Sequence, residues 1–297
     1  PESGNEAKLL LGGNPTDPTG PLYKISTTWR SLWHVINISG DPDDPTRSPR
    51  VPVKWAREQI EQYGKDNPYV LVNVFGQFPP VGFNQLLGPA EVLAAMKKRY
   101  YPEIQYAYQQ KRLGVDVARY GDDSTVLFAR QGLFASVPIV LKHADSTAVA
   151  ARVAVAKARW EFEQVFVDAC GGWGAGVCDA LAVGKIRAIE VDSSGKAQDP
   201  RFFNARTEMW WRMADWVKGG GWLPDDPKLV EELTAPTYTF HQGKLRLEEK
   251  AHIKERLQGR SPDMADALAM TFYWEEMPAK VGPGGWPINP RPTVSSD

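Results

Sequence analysis

The chain has 297 residues, 42% hydrophobic and 24% charged, which are ordinary globular proportions with apolar side chains enough for one large domain and part of a second. A formal net charge of -1 excludes a global basic footprint, so any contact with nucleic acid must be local. No apolar run could span a bilayer and no charged-then-apolar leader opens the chain, so a soluble, intracellular protein is expected, with Cys170 and Cys178 both free and buried.

In chain order, residues 8–13 form an apolar strand candidate that stops at Gly12-Gly13-Asn14-Pro15. Another short strand is expected at 33–38, a Pro/Asp-rich loop at 41–52 and a helix at 53–63. So abrupt a start reads as the end of a domain that begins upstream, covering residues 1–80. Pro79-Pro80 marks a boundary, and residues 81–103 form a linker with a short helix from Pro89 to Tyr100.

The pattern then changes. Strands are expected at 112–118, 125–130 and 134–141, separated by Tyr120-Gly121-Asp122-Asp123 and Gln131-Gly132, as in an antiparallel meander. An alanine-rich helix at 146–162 with Ser146 as N-cap, a strand at 165–168, a helix at 177–182 and a strand at 186–191 continue in βαβ order. That order adds parallel strands to the meander. Helices follow at 204–218 and 227–233, then a strand at 245–247 and a last helix from 262 to about 275. This second domain spans 104–277, and the Pro/Gly-rich segment 278–297 reads as a disordered tail.

Three acidic positions stand at element ends. Alternation along the first strand sets Leu113, Val115 and Val117 on one face and Gly114, Asp116 and Ala118 on the other, which leaves room around Asp116. Asp168 closes the apolar run Val165-Phe166-Val167 at the carboxyl end of its strand, where open α/β sheets carry their chemistry. In SPDMADALAM (261–270), Ser261 can cap the helix and Pro262 suits its first position. Asp263 and Asp266 then share a face, with Met264, Ala265, Leu268 and Phe272 left for packing. Carboxylates gathered from separate elements repel one another unless divalent cations hold them together. Asp116, Asp168 and Asp266, with Asp263 as a further ligand or as the residue that holds a ligand in place, therefore read as a two-metal phosphodiesterase site.

GGWGAG (171–176) shapes the rim beside Asp168 more economically than it makes a dinucleotide loop, because a three-strand meander precedes it. Trp210, Trp211 and Trp216 at helical spacing are core residues. Bases available to DNA phosphates are Arg119, Arg201, Arg206, Lys244 and Arg246.

The blocks LGVDVARYGDDSTVLFARQG (113–132), VFVDACGGWGAGVCDAL (165–181), the stretch 202–240 and SPDMADALAMTF (261–272) resemble, in order, the nuclease domain of phage terminase large subunits. The resemblance covers roughly 105–275. It implies an RNase H-like, RuvC-like α/β fold in which a mixed sheet of three antiparallel strands followed by parallel strands is flanked by helices. It also implies an endonuclease that cuts concatemeric viral double-stranded DNA with two Mg2+ or Mn2+ ions in the host cytoplasm. The family's acidic positions fall on Asp116, Asp168, Asp263 and Asp266. Implied partners are a terminase small subunit and a portal protein, with a ring during packaging, a monomer alone and no membrane.

LLLGGNPTDPTGPLYK (9–24) looks like the end of the family's packaging ATPase, so residues 1–80 would be its C-terminal remnant. The chain has no GxxxxGK[ST], since none of the Gly-Lys pairs at 64, 184, 195 and 243 is followed by Ser or Thr, and ATP is expected only with an upstream portion. Two rival readings are an actin or sugar-kinase type ATPase, disfavoured by Asp122-Asp123 in the first turn, and a non-catalytic motor subunit that grips DNA.

Overall fold

The computed structural model of the chain describes residues 9–16, 20–78, 84–118, 124–170 and 172–276. Pro79, Pro80, Arg119, Asp122, Asp123 and the segment 278–297 lie outside the described residues. The chain divides into two compact units, Pro1–Asn84 and Gln85–Asp297.

The first unit holds the helices α1 (Pro21–Ser26), α2 (Val53–Tyr63) and α3 (Pro68–Asn73). Helix α3 starts on a proline, whose missing N–H costs nothing in a first turn, and the Asn67 side chain accepts from Tyr69 N at 2.9 Å. Ala56, Val70, Val74 and Phe75 form its small core. The strands expected at 8–13 and 33–38 are not found among the described residues, which run irregularly there, with Leu10 94% and Ile36 72% exposed. A short apolar run becomes a strand only beside another edge, and the described part of this unit has none.

In the second unit, α4 (Pro89–Met96) buries Val92, Ala95 and Met96 in the core, and a short α5 (Pro102–Gln105) precedes the sheet. The strands β1 (Lys111–Asp116), β2 (Thr125–Gln131), β3 (Phe134–Ala135) and β4 (Ile139–Leu141) make the antiparallel part. One strand was expected where β3 and β4 stand. Pro138 has no N–H to give the ladder, and the chain breaks there while both pieces still pair with β2.

Helix α6 (Ser146–Trp160) is capped by Asp145, which accepts from Ala148 N at 2.7 Å, rather than by Ser146. Then β5 (Gln164–Asp168), α7 (Trp173–Val183) and β6 (Ile189–Val191) follow, with β1–β5 and β5–β6 parallel. The sheet order β3-β2-β1-β5-β6, with β4 also on β2, is the mixed sheet expected from the sequence. Its neighbours are α8 (Ala205–Lys218), α9 (Pro227–Thr234), the hairpin of β7 (Tyr238–His241) and β8 (Lys244–Leu247), α10 (Lys250–Arg256) and α11 (Asp263–Met270).

Period-two alternation fixes which layer each sheet residue joins. Leu113, Val115, Leu127, Val165 and Val167 pack with Val149 and Val153 of α6 and Val177 and Leu181 of α7. Val126, Phe128 and Phe166 face the opposite way, toward Trp210, Leu229, Leu233, Ala265 and Leu268 of α8, α9 and α11. Helix α11 lies so close to β1 that a Cβ on Gly114 would fall 1.9 Å from the Ala267 carbonyl oxygen. At its far end, the buried Arg112 donates to the carbonyls of Thr271 (2.9 Å) and Trp274 (2.6 Å), and Arg130 donates to Thr271 O at 3.1 Å. Cations thus meet the negative end of the helix, which stops at Met270 rather than near 275.

Candidate active site

Asp116 and Asp168 end the neighbouring parallel strands β1 and β5, while Asp263 and Asp266 lie in the first turn of α11, which crosses them. All four line one cavity of about 400 Å³, together with Arg206, Trp210, Lys250, Lys254 and Cys170. Asp116 is 5% exposed, and its position on the face opposite Leu113 and Val115 follows the alternation read from the sequence. Two glycines permit this closeness. Gly114 admits α11 over β1, and a Cβ on Gly174 would sit 1.8 Å from the Asp168 carbonyl oxygen, where α7 begins. Gly172, the N-cap of α7, has φ 90°, a left-handed conformation that favours glycine.

The electrostatics are those of crowded acids. Burial pushes the Asp116 carboxyl well above its usual range; Lys250 opposes this, while Asp266, Asp263 and Asp168 add to it. Asp168 is also raised, by burial, against the hydrogen bond its Oδ1 accepts from Cys170 N at 2.9 Å. Asp266 behaves oppositely: burial raises it, but Lys250, Arg206 and the Trp210 hydrogen bond prevail and hold it below the ordinary aspartate value. Its Oδ2 lies 2.8 Å from Lys250 Nζ and its Oδ1 accepts from Trp210 Nε1 at 2.8 Å, with Arg206 Nη2 at 3.7 Å. Asp263 Oδ2 accepts from Ser124 N at 3.0 Å.

Among the described residues, no three His, Cys, Asp or Glu side chains stand arranged to hold an ion as they are. The Lys250 ammonium faces this group instead, attracted by Asp266 first and then by Asp116, which raises its own pKa. The donor set is nevertheless all carboxylate oxygen, the chemistry that hard divalent cations take, and the upward shifts of Asp116 and Asp168 reflect burial first and the neighbouring acids second, both of which a bound cation would offset.

The other expected site residues divide. Arg206 lines the cavity and donates to the Glu248 carbonyl at 3.0 Å. Arg201 lies off it, its Nε donating to Asp199 at 2.7 Å; Lys244 opens β8, also away from the cavity; and Arg246 pairs with Glu249 at 2.9 Å. Both cysteines are free, but Cys170 is exposed rather than buried because it stands on the cavity rim after β5. Ser261 does not cap α11: Pro262 is the N-cap, without a side-chain bond, and Asp263 is the first helical residue.

Three participants were missed in the sequence. Trp210 is core, as expected, yet its indole N–H holds Asp266; that a buried tryptophan N–H seeks an acceptor was the available signal. Lys250 sits in a run of alternating charges with nothing local to mark it. Glu232, 4% exposed on α9, accepts from Met264 N at 2.8 Å and Ala265 N at 3.0 Å.

The fold and site define the class: an RNase H-like α/β domain with acidic side chains gathered at the ends of its central strands, the fold of terminase nuclease domains. The nuclease domain of the large terminase subunit gp2 of bacterial virus Sf6 matches with a TM-score of 0.52 and 20% identity, over 63% of this chain and 97% of that one. A point variant of that domain with manganese and beta-thujaplicinol matches equally, at 0.52 and 20% over the same shares. In sequence the chain resembles the probable terminase large subunit of Enterobacteria phage P7, 31% identical over 107 residues. That match spans 33% of this chain and 20% of the phage protein's length. No family model matches the chain.

Proposed function

We propose that this chain carries the metal-dependent endodeoxyribonuclease of a viral genome-packaging terminase, which cuts concatemeric double-stranded DNA by phosphodiester hydrolysis. The observation that carries this reading is the meeting of Asp116, Asp168, Asp263 and Asp266, from two strands and a crossing helix, around one cavity of about 400 Å³. Their oxygens suit two Mg2+ or Mn2+ ions, which when bound would polarise the scissile phosphate and stabilise the charge that develops on it. Manganese in a variant of the similarly folded Sf6 domain supports the choice of ion.

The chain's own side chains have separable roles in this reading. Asp116 and Asp168 are the ligands whose charges burial and crowding leave unsatisfied. Asp266 is a further ligand held in orientation by Trp210 and Lys250, and Asp263 joins it from the same helical face. Lys250 and Arg206 place positive charge where a phosphate would enter. Arg201 and Lys244, off the cavity, are proposed as further contacts for the duplex, as is Arg119, which follows the first acid in sequence and lies outside the described residues.

Beyond the site, residues 1–80 are proposed as the C-terminal remnant of a packaging ATPase, so that ATP hydrolysis needs an upstream portion. The small subunit, the portal protein, a ring during packaging and action in the host cytoplasm follow as proposals from the same resemblance. No described helix is long and apolar enough to cross a membrane. The test is nicking of supercoiled plasmid with Mn2+: the chain should cut, and Asp116→Asn should fold but not cut. ATP-dependent thermal stabilisation without nicking would favour the kinase-type ATPase, and undiminished DNA processing by Asp116→Asn would favour a gripping subunit.

A further inference from the structure

Helix α11 carries two of the four acids, yet its own sequence does not cap it. The N-cap Pro262 makes no side-chain bond, and the N–H groups of a first helical turn have no partner within the helix. Two of them are taken from outside, because the single oxygen Oε2 of Glu232, from α9, accepts from Met264 N at 2.8 Å and Ala265 N at 3.0 Å. These amides lie between Asp263 and Asp266, so the bond fixes the stretch of backbone from which both carboxylates project. Glu232 is 4% exposed and does not line the cavity.

The placement is costly compared with an apolar side chain packed at the same point. A carboxylate is buried beside two others, and burial together with Asp263 and Asp266 pushes Glu232 up to about 8 against the two amide bonds. A glutamine would satisfy the same amides without the charge. At the other end, Arg112 and Arg130 hold the Thr271 carbonyl, so α11 is gripped at both ends by side chains from other elements.

We propose that Glu232 is a positioning residue, which sets the first turn of α11 so that Asp263 and Asp266 present their oxygens to the cation together with Asp116 and Asp168. The proposal rests on the metal reading of the cavity. It predicts a specific order among variants, since the acceptor oxygen and its reach matter rather than the charge. Glu232→Gln keeps an oxygen at the same reach; Glu232→Asp keeps the carboxyl group but is one methylene short; Glu232→Ala keeps neither.

The experiment measures Mn2+ affinity by calorimetry and amide hydrogen exchange at Met264 and Ala265 in the full chain, for wild type, the three Glu232 variants and Asp116→Asn. Expected are near wild-type affinity and protection for Glu232→Gln, and about 10–100-fold weaker Mn2+ binding with faster exchange at both amides for Glu232→Asp. Glu232→Ala should resemble Glu232→Asp, and if it does not fold the Gln and Asp pair decides alone. Wild type that binds Mn2+ with Asp116→Asn that does not, but with Glu232→Asp equal to or tighter than Glu232→Gln, overturns the positioning role and leaves the metal reading intact. Wild type that binds no Mn2+ overturns the metal reading, and this inference with it.

Discussion

Lys250 Nζ stands 2.8 Å from Asp266 Oδ2, an ion pair that joins α10 to the acidic first turn of α11. Only 13% of the Asp266 side chain is exposed against 41% of Lys250, so the lysine brings partly screened positive charge to a carboxylate that has lost most of its solvent. In the absence of an ion it offsets the charge of Asp266 and, more weakly, that of Asp116.

Lys250→Ala should therefore destabilise the metal-free chain at neutral pH. Removing one partner of a fully buried pair costs about 3–5 kcal/mol, and the exposure of Lys250, 41% of its side chain, should bring the loss below that range. Added Mn2+ should recover more stability in this variant than in wild type. Thermal unfolding with and without Mn2+ checks it; equal losses with and without the ion would show that the two cations do not share a role.

The metal-free chain should lose stability as pH rises. Glu232 has its folded value raised from 4.5 to about 8, so between those values the unfolded chain releases a proton that the native chain keeps. Below about 4.5 both forms hold it and Glu232 contributes no difference; through the window the native state loses ground, on the order of a few kcal/mol by the top. Asp116 and Asp168, also raised, act in the same direction, whereas Asp266, lowered, gives stability that is lost as pH falls through its folded value. Urea unfolding across pH 4.5 to 8 should show a shallower decline for Glu232→Gln than for wild type. Identical slopes would remove Glu232 from the account.

Gly114→Ala should damage both fold and site. The new Cβ would meet backbone, the Ala267 carbonyl at 1.9 Å, and neither strand nor helix can turn a side chain away to make room. Overpacking of this kind costs about 1–3 kcal/mol or more. Any folded fraction should hold α11 farther from β1 and cut DNA poorly. Denaturant titration together with nicking per folded molecule measures the two losses, and full activity in the variant would mean that α11 need not lie where it does.

Trp210→Phe should leave the core largely filled but remove the indole N–H from Asp266 Oδ1. A hydrogen bond to a charged group is worth about 1.5–3 kcal/mol, so the variant should be destabilised by that order. It should also bind Mn2+ more weakly, because one oxygen of Asp266 is then free to rotate. Unchanged Mn2+ affinity would reduce Trp210 to packing alone.

Much of this was legible in the sequence, for local reasons. Alternation of Leu113, Gly114, Val115 and Asp116 along one strand fixed the side on which Asp116 emerges, and the βαβ order set β5 parallel to β1 with Asp168 at the matching end. The i, i+3 spacing put Asp263 and Asp266 on one face. Illegible features are those made by distant chain segments. Ser261 looked like a cap, but the amides of α11 are taken by Glu232, whose bonds to Met264 and Ala265 span more than thirty residues, 32 and 33. Lys250 reached its place through a short helix without a pattern of its own. In the first unit the apolar runs at 8–13 and 33–38 carried strand-like composition without a neighbouring edge, and composition alone cannot supply one.

The central claim is that divalent ions join these carboxylates, and anomalous diffraction from crystals soaked in Mn2+ tests it most directly. The account predicts manganese peaks in the cavity, ligated by Asp116 and Asp168 with Asp266 or Asp263 completing the set, and their disappearance in Asp116→Asn. Manganese bound elsewhere, or a cavity without it under conditions in which the chain nicks DNA, would contradict it.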